Sequence, residues 1–299
     1  MYKSLLFLCV ANSARSQMAE GFARTLFGGL LRVQSAGRAP VALDALTIAS
    51  MRELGVDVAE PRSKSVRDID PASVDAIITL CAESVCPAWS ETVPRMHWPL
   101  PEPAGAGASV EAVRARLREI RDGLQFRLWA FASANLPDGI TLGPPTGGEL
   151  AAIEALIRGS ELPVEVVRDR FPDAYVVARR EGRVVGVAAL ETYEQVGLLR
   201  SVAVAPSERG RGTGIALVAD RLATGWANAL TSVYLLTTTA APLFRRFGFV
   251  DADRASVPDV LAGSPEFAAL CPASSACLKV DFLRPSAREP VSPAGGYDG

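Results

Sequence analysis

The sequence Lys3-Ser-Leu-Leu-Phe-Leu-Cys9-Val-Ala-Asn-Ser-Ala-Arg15-Ser16 joins an apolar run to a polar loop near the start of the chain. Residues 3–9 predict a buried strand, because their apolar residues follow one another without alternation. Residues 17–26 have the apolar spacing of a helix, so the loop is expected to connect a strand to a helix N-terminus. At such a turn, backbone N–H groups and the helix dipole can surround a tetrahedral oxyanion. The stretch therefore predicts an α/β domain with an anion site on its first loop.

Cys9 and Arg15 give this loop its predicted chemistry. The positive field of a helix N-terminus favours the thiolate form of Cys9, which is the nucleophilic form. The guanidinium of Arg15 can hold two oxygens of an oxyanion in a planar fork. Asn12 and Ser16 are expected to orient the loop and stabilise the thiolate. The predicted oxyanion loop consists of Val10, Ala11, Asn12, Ser13, Ala14 and Ser16. The alternative is a buried cysteine that ends a strand, followed by a surface arginine.

The chain is long enough for two domains. Its 299 residues reach the size at which single hydrophobic cores stop growing, about 250–300 residues. Residues 1–137 alternate short apolar runs with helical patterns, which predicts a parallel sheet covered by helices. Helix breakers concentrate in residues 136–148, so we place the boundary near residue 140 and a second domain over 141–284. Residues 285–299 are rich in Pro, Ser, Ala and Gly and are predicted to be a disordered tail. The predicted strands are 3–9, 31–35, 76–80, 175–178, 184–190, 198–204 and 232–237, and the predicted helices are 17–26, 43–54, 110–131, 149–158 and 212–230.

Charge and cysteine content exclude several classes of protein. The chain has 31 Lys and Arg against 33 Asp and Glu, with both signs interspersed, so it offers no basic patch for nucleic acid or a membrane surface. The first apolar run covers only residues 5–10, far short of the roughly 20 apolar residues of a membrane span. Five cysteines in a chain of this length indicate reduced or reactive thiols rather than a secreted disulfide framework. We therefore expect a cytoplasmic protein with small-molecule partners.

A second loop of interest follows the predicted strand that ends at Val204. It reads Pro206-Ser-Glu-Arg209-Gly-Arg-Gly212-Thr-Gly214 and leads into an apolar helix. Glycines let a backbone approach a diphosphate closely, and N–H groups at a helix N-terminus can donate to it. A P-loop is a poorer interpretation because Lys-Ser/Thr does not follow the glycines, and a dinucleotide site lacks its acidic ribose ligand. An ordinary glycine-rich turn is the alternative.

The sequence around Cys9 resembles the low-molecular-weight tyrosine phosphatase superfamily, and within it the arsenate reductase branch. Phosphatases of that group tend to have proline after the Arg-Ser pair of the loop, where this chain has Gln17. The resemblance covers nearly all of residues 1–137 and implies a flavodoxin-like, three-layer domain. The stretches that carry it are Cys9-x-x-Asn12-Ser-x-Arg15-Ser16-Gln-Met-Ala-Glu-Gly21, Gln34-Ser-Ala-Gly37, Arg62-Ser-Lys-Ser65, Thr79-Leu-Cys81 and His97-Trp-Pro-Leu-Pro-Glu-Pro-Ala104.

This resemblance implies a relay of three thiols that reduces arsenate. Cys9 would attack arsenate, Cys81 would attack the Cys9 sulfur as arsenite leaves, and Cys86 would then move the disulfide to the Cys81–Cys86 pair. Thioredoxin or a similar dithiol would reduce that pair. The two later cysteines favour a reductase over a phosphatase, because phosphate transfer needs one thiol whereas arsenate reduction takes two electrons from a thiol pair. The alternative interpretation of Cys81 and Cys86 is a pair of inert thiols or a pair of metal ligands. Glu102 takes the place of the family's general acid.

The second loop resembles the acetyl-CoA loop of GNAT acetyltransferases, through Val-x-Pro ahead of it and Arg-x-x-Gly-x-Gly within it. The resemblance implies an α+β domain in which backbone groups of Val202 and Val204 pair with the pantetheine arm. Phe244 stands where many GNAT proteins have a tyrosine that protonates the CoA thiolate. The implied cofactor-binding loop is Arg209, Gly210, Arg211, Gly212, Thr213 and Gly214.

Two further stretches look like the arsenic-resistance branch of GNAT acetyltransferases, namely Tyr234-Leu-Leu-Thr-Thr-Thr239 and Phe267-x-x-Leu-Cys271-Pro-x-Ser-Ser-Ala276. The implied reaction is acetyl-CoA-dependent N-acetylation of a small amine. Glu191 is the candidate base, with a solvated carboxylate as the alternative, and Arg200 is a candidate holder of an anionic substrate group. Cys271 and Cys277 are interpreted as core residues, with binding of trivalent arsenic as the alternative.

Together the two resemblances predict a bifunctional arsenic-detoxification enzyme, an arsenate reductase followed by an N-acetyltransferase. Two alternatives keep the folds and change the function: a tyrosine phosphatase fused to an acetyltransferase, and a second domain that only senses acetyl-CoA or an arsenical. No metal site is expected, because His97 is the only histidine. The acetyl acceptor, the identity of the reductant and the formation of a homodimer are left open.

Overall fold

The computed structural model describes residues 1–58, 62–81, 92–103 and 107–282, and two sheets lie within these ranges. The first sheet has the strand order β2-β1-β3-β4, and all of its pairs are parallel. Its strands are β1 (Ser4–Cys9), β2 (Arg32–Gly37), β3 (Ala76–Thr79) and β4 (Arg95–His97). The helices of this part are α1 (Arg15–Phe27), α2 (Ala45–Arg52) and α3 (Val110–Ala134).

The second sheet is mixed, with the order β10-β11-β9-β8-β7-β6-β5, and only its β8–β9 pair is parallel. Its strands are β5 (Ile140–Gly143), β6 (Tyr175–Arg180), β7 (Arg183–Tyr193), β8 (Val196–Val204), β9 (Ser232–Thr237), β10 (Val250–Asp251) and β11 (Ala276–Asp281). The helices of this part are α4 (Leu150–Arg158), α5 (Thr213–Ala227), α6 (Ala241–Arg245) and α7 (Asp259–Ala262). The predicted combination of a parallel α/β part with an α+β part is confirmed.

The first part has three layers because β1 is buried on both faces. Leu5 and Phe7 pack with α1 and α3 in one cluster. Leu6 and Leu8 point to the opposite face, as alternate residues of a strand must, and pack with Val66 and its neighbours. This two-sided burial explains why the sequence of β1 is apolar without alternation.

Strands β4, β5, β10 and β11 were not predicted from the sequence. β4 is only three residues long and reads Arg-Met-His, so it has no apolar run. β5 reads Ile-Thr-Leu-Gly within a stretch that is rich in helix breakers, and it forms the edge of the second sheet. The second sheet thus begins at Ile140, one residue before the predicted start of the second domain. The predicted tail, residues 285–299, lies outside the described residues.

Helix α3 joins the two parts into one continuous core. The ring of Phe126 on α3 stacks on Trp226 of α5 with centroids 4.8 Å apart, and Trp129 lies 5.5 Å from Phe282. The Gln125 side-chain amide donates to the backbone oxygen of Phe247 at 3.0 Å. Buried residues from both sheets belong to the same hydrophobic cluster. In the part of the chain that the structure describes, no helix is long and apolar enough to cross a bilayer.

Candidate functional site

The first candidate site is the loop between β1 and α1. Helix α1 begins at Arg15, and its N-terminal position, Ala14, makes no side-chain capping hydrogen bond. The first turn also lacks an acidic residue. The first N–H groups of a helix have no partner within the helix, so this terminus is suited to an anionic ligand.

The sulfur of Cys9 lies inside this loop and is almost fully buried. The backbone N–H of Asn12 donates to Cys9 Sγ at 3.1 Å, and Ser16 Oγ lies 2.9 Å from the same atom. These two contacts fix the position of the sulfur at the centre of the loop.

Asn12 holds the loop together from its centre. Its side-chain Nδ2 donates to Ser16 Oγ and to Ser35 Oγ, both at 2.8 Å. Its Oδ1 accepts from the backbone N–H of Lys64 at 2.7 Å and from Gln17 Nε2 at 3.2 Å. The residue is fully buried and has a left-handed φ of 48°. The prediction that Asn12 orients the loop fits this arrangement, although the pairing with Lys64 has no signal in the sequence.

Gly37 at the end of β2 gives the loop its space. A Cβ at this position would lie 2.6 Å from the backbone oxygen of Val10 and 2.8 Å from the backbone nitrogen of Asn12. No other residue fits without moving the loop. In the sequence, Gly37 stands out only through the resemblance, and its steric role has no local signal.

Arg15 and Glu102 meet at the rim of the loop. Arg15 Nη2 lies 2.8 Å from Glu102 Oε1, and Arg15 Nη1 donates to the backbone oxygen of Leu100 at 3.2 Å. The arginine side chain is only 5% exposed, whereas the glutamate side chain is 70% exposed. The two residues predicted to hold and to protonate the oxyanion are thus adjacent, and the carboxylate can move into solvent.

Cys81 follows the strand beside that of Cys9. β1 and β3 are adjacent and parallel, and the N–H of Leu80 donates to the oxygen of Leu8 at 2.9 Å. The two cysteines therefore follow neighbouring strands at the same edge of the sheet. Cys81 is disulfide-bonded, whereas Cys9 has a free thiol. Cys86, the third predicted thiol, lies outside the described residues.

The second candidate site lies where β8 and β9 diverge. These parallel strands pair only from Val196 to Leu198 on β8 and from Ser232 to Tyr234 on β9. Beyond that point β8 continues to Val204 with only β7 as a paired neighbour. Residues 199–204, which include the predicted contacts Val202 and Val204, thus border an open wedge in the sheet.

A glycine-rich loop follows this wedge and ends in α5. Gly210 and Gly212 have φ values of 74° and 100°, which other residues rarely adopt, and Gly212 is the N-terminal position of α5. Arg209 Nε donates to the oxygen of Val204 at 2.9 Å, which ties the loop to the strand. Thr213 Oγ1 is buried and has no hydrogen-bond partner among the described residues. The loop thus leads into a helix N-terminus, whose backbone N–H groups can bind a phosphate.

Glu191 and Arg200 form a buried ion pair rather than two separate groups. Arg200 Nε donates to Glu191 Oε1 at 2.6 Å, and the hydroxyl of Tyr193 donates to Glu191 Oε2 at 2.6 Å. The Glu191 side chain is only 5% exposed, so the alternative of a solvated carboxylate is wrong. A second carboxylate, Glu266, lies 3.1 Å from Arg200 Nε, and burial raises its pKa. Arg200 is therefore engaged by protein carboxylates, contrary to the expectation that it is free to hold a substrate anion.

Four further residues considered in the sequence analysis lie in the core or make only local contacts. Phe244 is a buried core residue, and Cys277 packs in an apolar cluster with Phe267. Cys271 is partly buried, and burial raises the pKa of its thiol. His97 is exposed, with its Nδ1 2.9 Å from Thr79 Oγ1. Among the described residues, no group of three His, Cys, Asp or Glu side chains could hold a metal ion.

Comparisons with known proteins match two separate parts of the chain. Residues 4–132 match the family model of the low molecular weight phosphotyrosine protein phosphatases, and residues 172–251 match that of the GNAT acetyltransferase domain. The arsenate reductase of Halalkalibacterium halodurans is 36% identical over 132 residues, which are 44% of this chain and 95% of that protein. The arsenate reductase of Bacillus subtilis is 35% identical over the same shares of both proteins.

Solved structures resemble the chain as well. One is an arsenate reductase in the phosphate-binding state, with 33% identity, a TM-score of 0.36, and coverage of 41% of this chain and 94% of that one. Another is N-acetylglutamate synthase from Neisseria gonorrhoeae with coenzyme A and N-acetyl-glutamate, with 16% identity, a TM-score of 0.46, and coverage of 87% and 66%. The predicted combination of families is confirmed by the family models and the curated relatives. The chain belongs to the arsenate reductase family of the low-molecular-weight phosphatase type, and it carries a GNAT acetyltransferase domain after that part.

Proposed function

We propose that the chain is a bifunctional enzyme of arsenic detoxification. Its first domain reduces arsenate to arsenite with protein thiols, and its second domain transfers an acetyl group from acetyl-CoA to a small amine. The observation that carries the first activity is the placement of two cysteines after adjacent parallel strands, one as a free thiol in an anion loop and one in a disulfide.

The reduction proceeds through two sulfur intermediates. The thiolate of Cys9 attacks arsenate, a sulfur–arsenic bond forms, and an oxygen leaves as water after protonation by Glu102. The thiolate of Cys81 then attacks the Cys9 sulfur, and the electron pair of the sulfur–arsenic bond stays on arsenic, which leaves as arsenite. Cys86 attacks Cys81 and releases Cys9 as a thiolate, so two thiols have lost the two electrons that arsenic gained. An external dithiol such as thioredoxin resets the Cys81–Cys86 disulfide.

The loop residues have distinct tasks in this proposal. Arg15 binds the oxyanion in place of its present contact with Glu102, and that exchange frees the exposed carboxyl to act as an acid. The amide of Asn12 and the hydroxyl of Ser16 stabilise the Cys9 thiolate both before attack and when it is released.

The second activity is supported by the divergence of β8 and β9 together with the glycine-rich N-terminus of α5. Acetyl-CoA, when bound, supplies the acetyl group as a thioester. Val202 and Val204 lie where β8 no longer pairs with β9, so this side of the strand can receive the pantetheine arm once Arg209 leaves the Val204 oxygen. The loop of residues 209–214 offers N–H groups for the pyrophosphate. Both oxygens of Glu191 are occupied, so we propose that it takes the proton of the amine through Tyr193, whose hydroxyl it already accepts.

The test of the first activity is arsenite formation from arsenate with thioredoxin, thioredoxin reductase and NADPH. Wild-type protein should turn over many times, whereas Cys9→Ser, Cys81→Ser and Cys86→Ser should each abolish multiple turnover. Cys271→Ser is the matched control, since it removes a thiol from the second domain, and it should keep the wild-type rate. A protein that is inert with arsenate but cleaves an aryl phosphate with Cys9 alone would instead be a phosphatase.

The test of the second activity is release of the CoA thiol from acetyl-CoA in the presence of small amines. Glu191→Gln and Tyr193→Phe should lower kcat at least tenfold while acetyl-CoA still binds. Binding of acetyl-CoA without acetylation of any amine would favour a sensor domain.

A further inference from the structure

A cleft lies where the two domains meet, next to the glycine-rich loop. Its volume is about 470 Å³, which is within the range of small-molecule sites. Lys3 and Leu30 line it from the first domain, and Arg180, Gly210 and Arg211 line it from the second. The first domain thus forms one wall of a space whose opposite wall is the predicted pyrophosphate loop.

The contact between the two walls is direct. A Cβ built on Gly212 would lie 3.6 Å from Leu30 Cδ1 and 3.7 Å from Pro137 Cγ. These are ordinary van der Waals distances, so the first domain packs against the residue that begins α5. A ligand whose diphosphate lies on this loop therefore has the first domain as its neighbour.

Two of the cations that line the cleft form no direct ion pair with another described residue. Arg180 is neutralised by Glu208, with contacts of 2.7 and 2.9 Å. Asp138, the one carboxylate among the lining residues, pairs with the N-terminal ammonium at 3.1 Å. Lys3 and Arg211 are exposed, and neither forms an ion pair within the described ranges of the chain. Lys3 of the first domain and Arg211 of the second thus line the cleft as exposed cations, near the carboxylates of Asp138 and Glu208 but in a direct ion pair with neither.

We propose that Lys3 and Arg211 together bind the 3′-phosphate of coenzyme A, so that the cofactor site is completed by the first domain. This inference rests on the proposed acetyltransferase function. Once the loop N–H groups hold the pyrophosphate, the 3′-phosphate on the ribose is the next anionic group of the molecule. It carries about two negative charges near neutral pH and matches the two cations across the cleft.

The test compares the Kd of CoA with that of 3′-dephospho-CoA by calorimetry on the full chain. Wild-type protein should bind CoA about tenfold more tightly, since a charge-assisted contact at an exposed site is worth about one factor of ten. Lys3→Ala should remove most of this preference by weakening CoA, and leave the Kd of dephospho-CoA within about twofold. Arg211→Ala is the second variant and should act in the same direction. Arg52→Ala is the control, because it removes an exposed cation of the first domain that does not line the cleft.

The possible results distinguish failure of the 3′-phosphate site from failure of the proposed acetyltransferase activity. If wild-type protein binds neither ligand, the acetyltransferase proposal fails. If it binds both equally and Lys3→Ala changes nothing, the cross-domain site is wrong while the acetyltransferase proposal stands. Equal weakening of both ligands by Lys3→Ala would also overturn the assignment to the 3′-phosphate. Unchanged unfolding temperatures of the variants establish that a lost preference is not a folding defect.

Discussion

Replacing Asn12 tests whether the catalytic loop is held by one buried side chain. Asn12→Ala removes four hydrogen bonds, two donated by Nδ2 and two accepted by Oδ1. Each such bond contributes about 1 kcal/mol, and the buried partners are left unsatisfied. The left-handed φ of 48° adds a backbone strain of about 1 kcal/mol for alanine. We expect the free energy of unfolding to fall by about 5 kcal/mol.

Asn12→Gly separates the two contributions. Glycine loses the same hydrogen bonds but adopts the left-handed conformation without strain, so it should be about 1 kcal/mol more stable than the alanine variant. The assay is urea unfolding followed by circular dichroism, combined with the rate of arsenite formation. Both variants should lose at least tenfold in kcat/KM, because Asn12 positions the donors to the Cys9 sulfur.

Asn228→Ala provides the matched control for this series. Asn228 is exposed and ends α5, so its replacement should change stability by less than about 0.5 kcal/mol. Equal stability of the alanine and glycine variants of Asn12 would refute the strain argument. If the free energy of unfolding of Asn12→Ala and of Asn12→Gly falls by less than about 0.5 kcal/mol, the buried network contributes no net stability.

Three other replacements address packing and charge. Gly37→Ala should cost about 2 kcal/mol, because the added methyl group displaces the loop, and should slow alkylation of the Cys9 thiol by iodoacetamide; an unchanged alkylation rate would contradict this. Phe126→Ala removes the ring stacked on Trp226 and should lower stability by about 2 kcal/mol, with both domains shifting together in calorimetry rather than one alone. The arginines that bind Glu53, chiefly by a hydrogen bond from Arg118, lower its pKa from 4.5 to about 2. The contribution of ionised Glu53 to the free energy of unfolding is therefore present above pH 4.5 and is lost as the pH falls towards 2. Because the side chain is 38% exposed, Glu53→Gln should cost less than about 1 kcal/mol at pH 6 and nearly nothing at pH 2, as measured by urea unfolding.

The sequence predicted those parts of the fold whose signals are local. An uninterrupted apolar run, a polar loop and a helical pattern are contiguous in the chain, so β1, α1 and the loop with Cys9 and Arg15 were found together. The strand, glycine-rich loop and helix of the second site follow one another in the same way. The edge strands β4, β5 and β10 were missed because an edge strand of two to four residues buries too little to produce an apolar pattern. Strand β11 was missed as well, because Lys279 interrupts its short apolar run.

Contacts between distant residues explain what sequence reasoning could not find in the sites. Glu191 and Arg200 meet only because the β7–β8 hairpin pairs Ala189 with Arg200 and Glu191 with Leu198, a register that is continuous with the turn, where Tyr193 pairs with Val196. Glu266 joins them from a segment 66 residues after Arg200. The sequence therefore predicts a free cation at Arg200 and a free base at Glu191, whereas the two residues neutralise each other in the folded chain.

The packing of α3 decides how the two domains relate to each other. A helix between two independent domains would be polar on the side away from its own sheet, yet α3 presents aromatic rings to α5 as well as apolar residues to α1. A chain cut after residue 137 would leave Phe126 and Trp129 exposed on one half and Trp226 on the other. Exposed apolar patches of this kind favour association, so the halves should reassociate or aggregate rather than stay apart. We therefore expect the two domains to unfold as one unit, and the cleft between them has walls from both domains because they share this core.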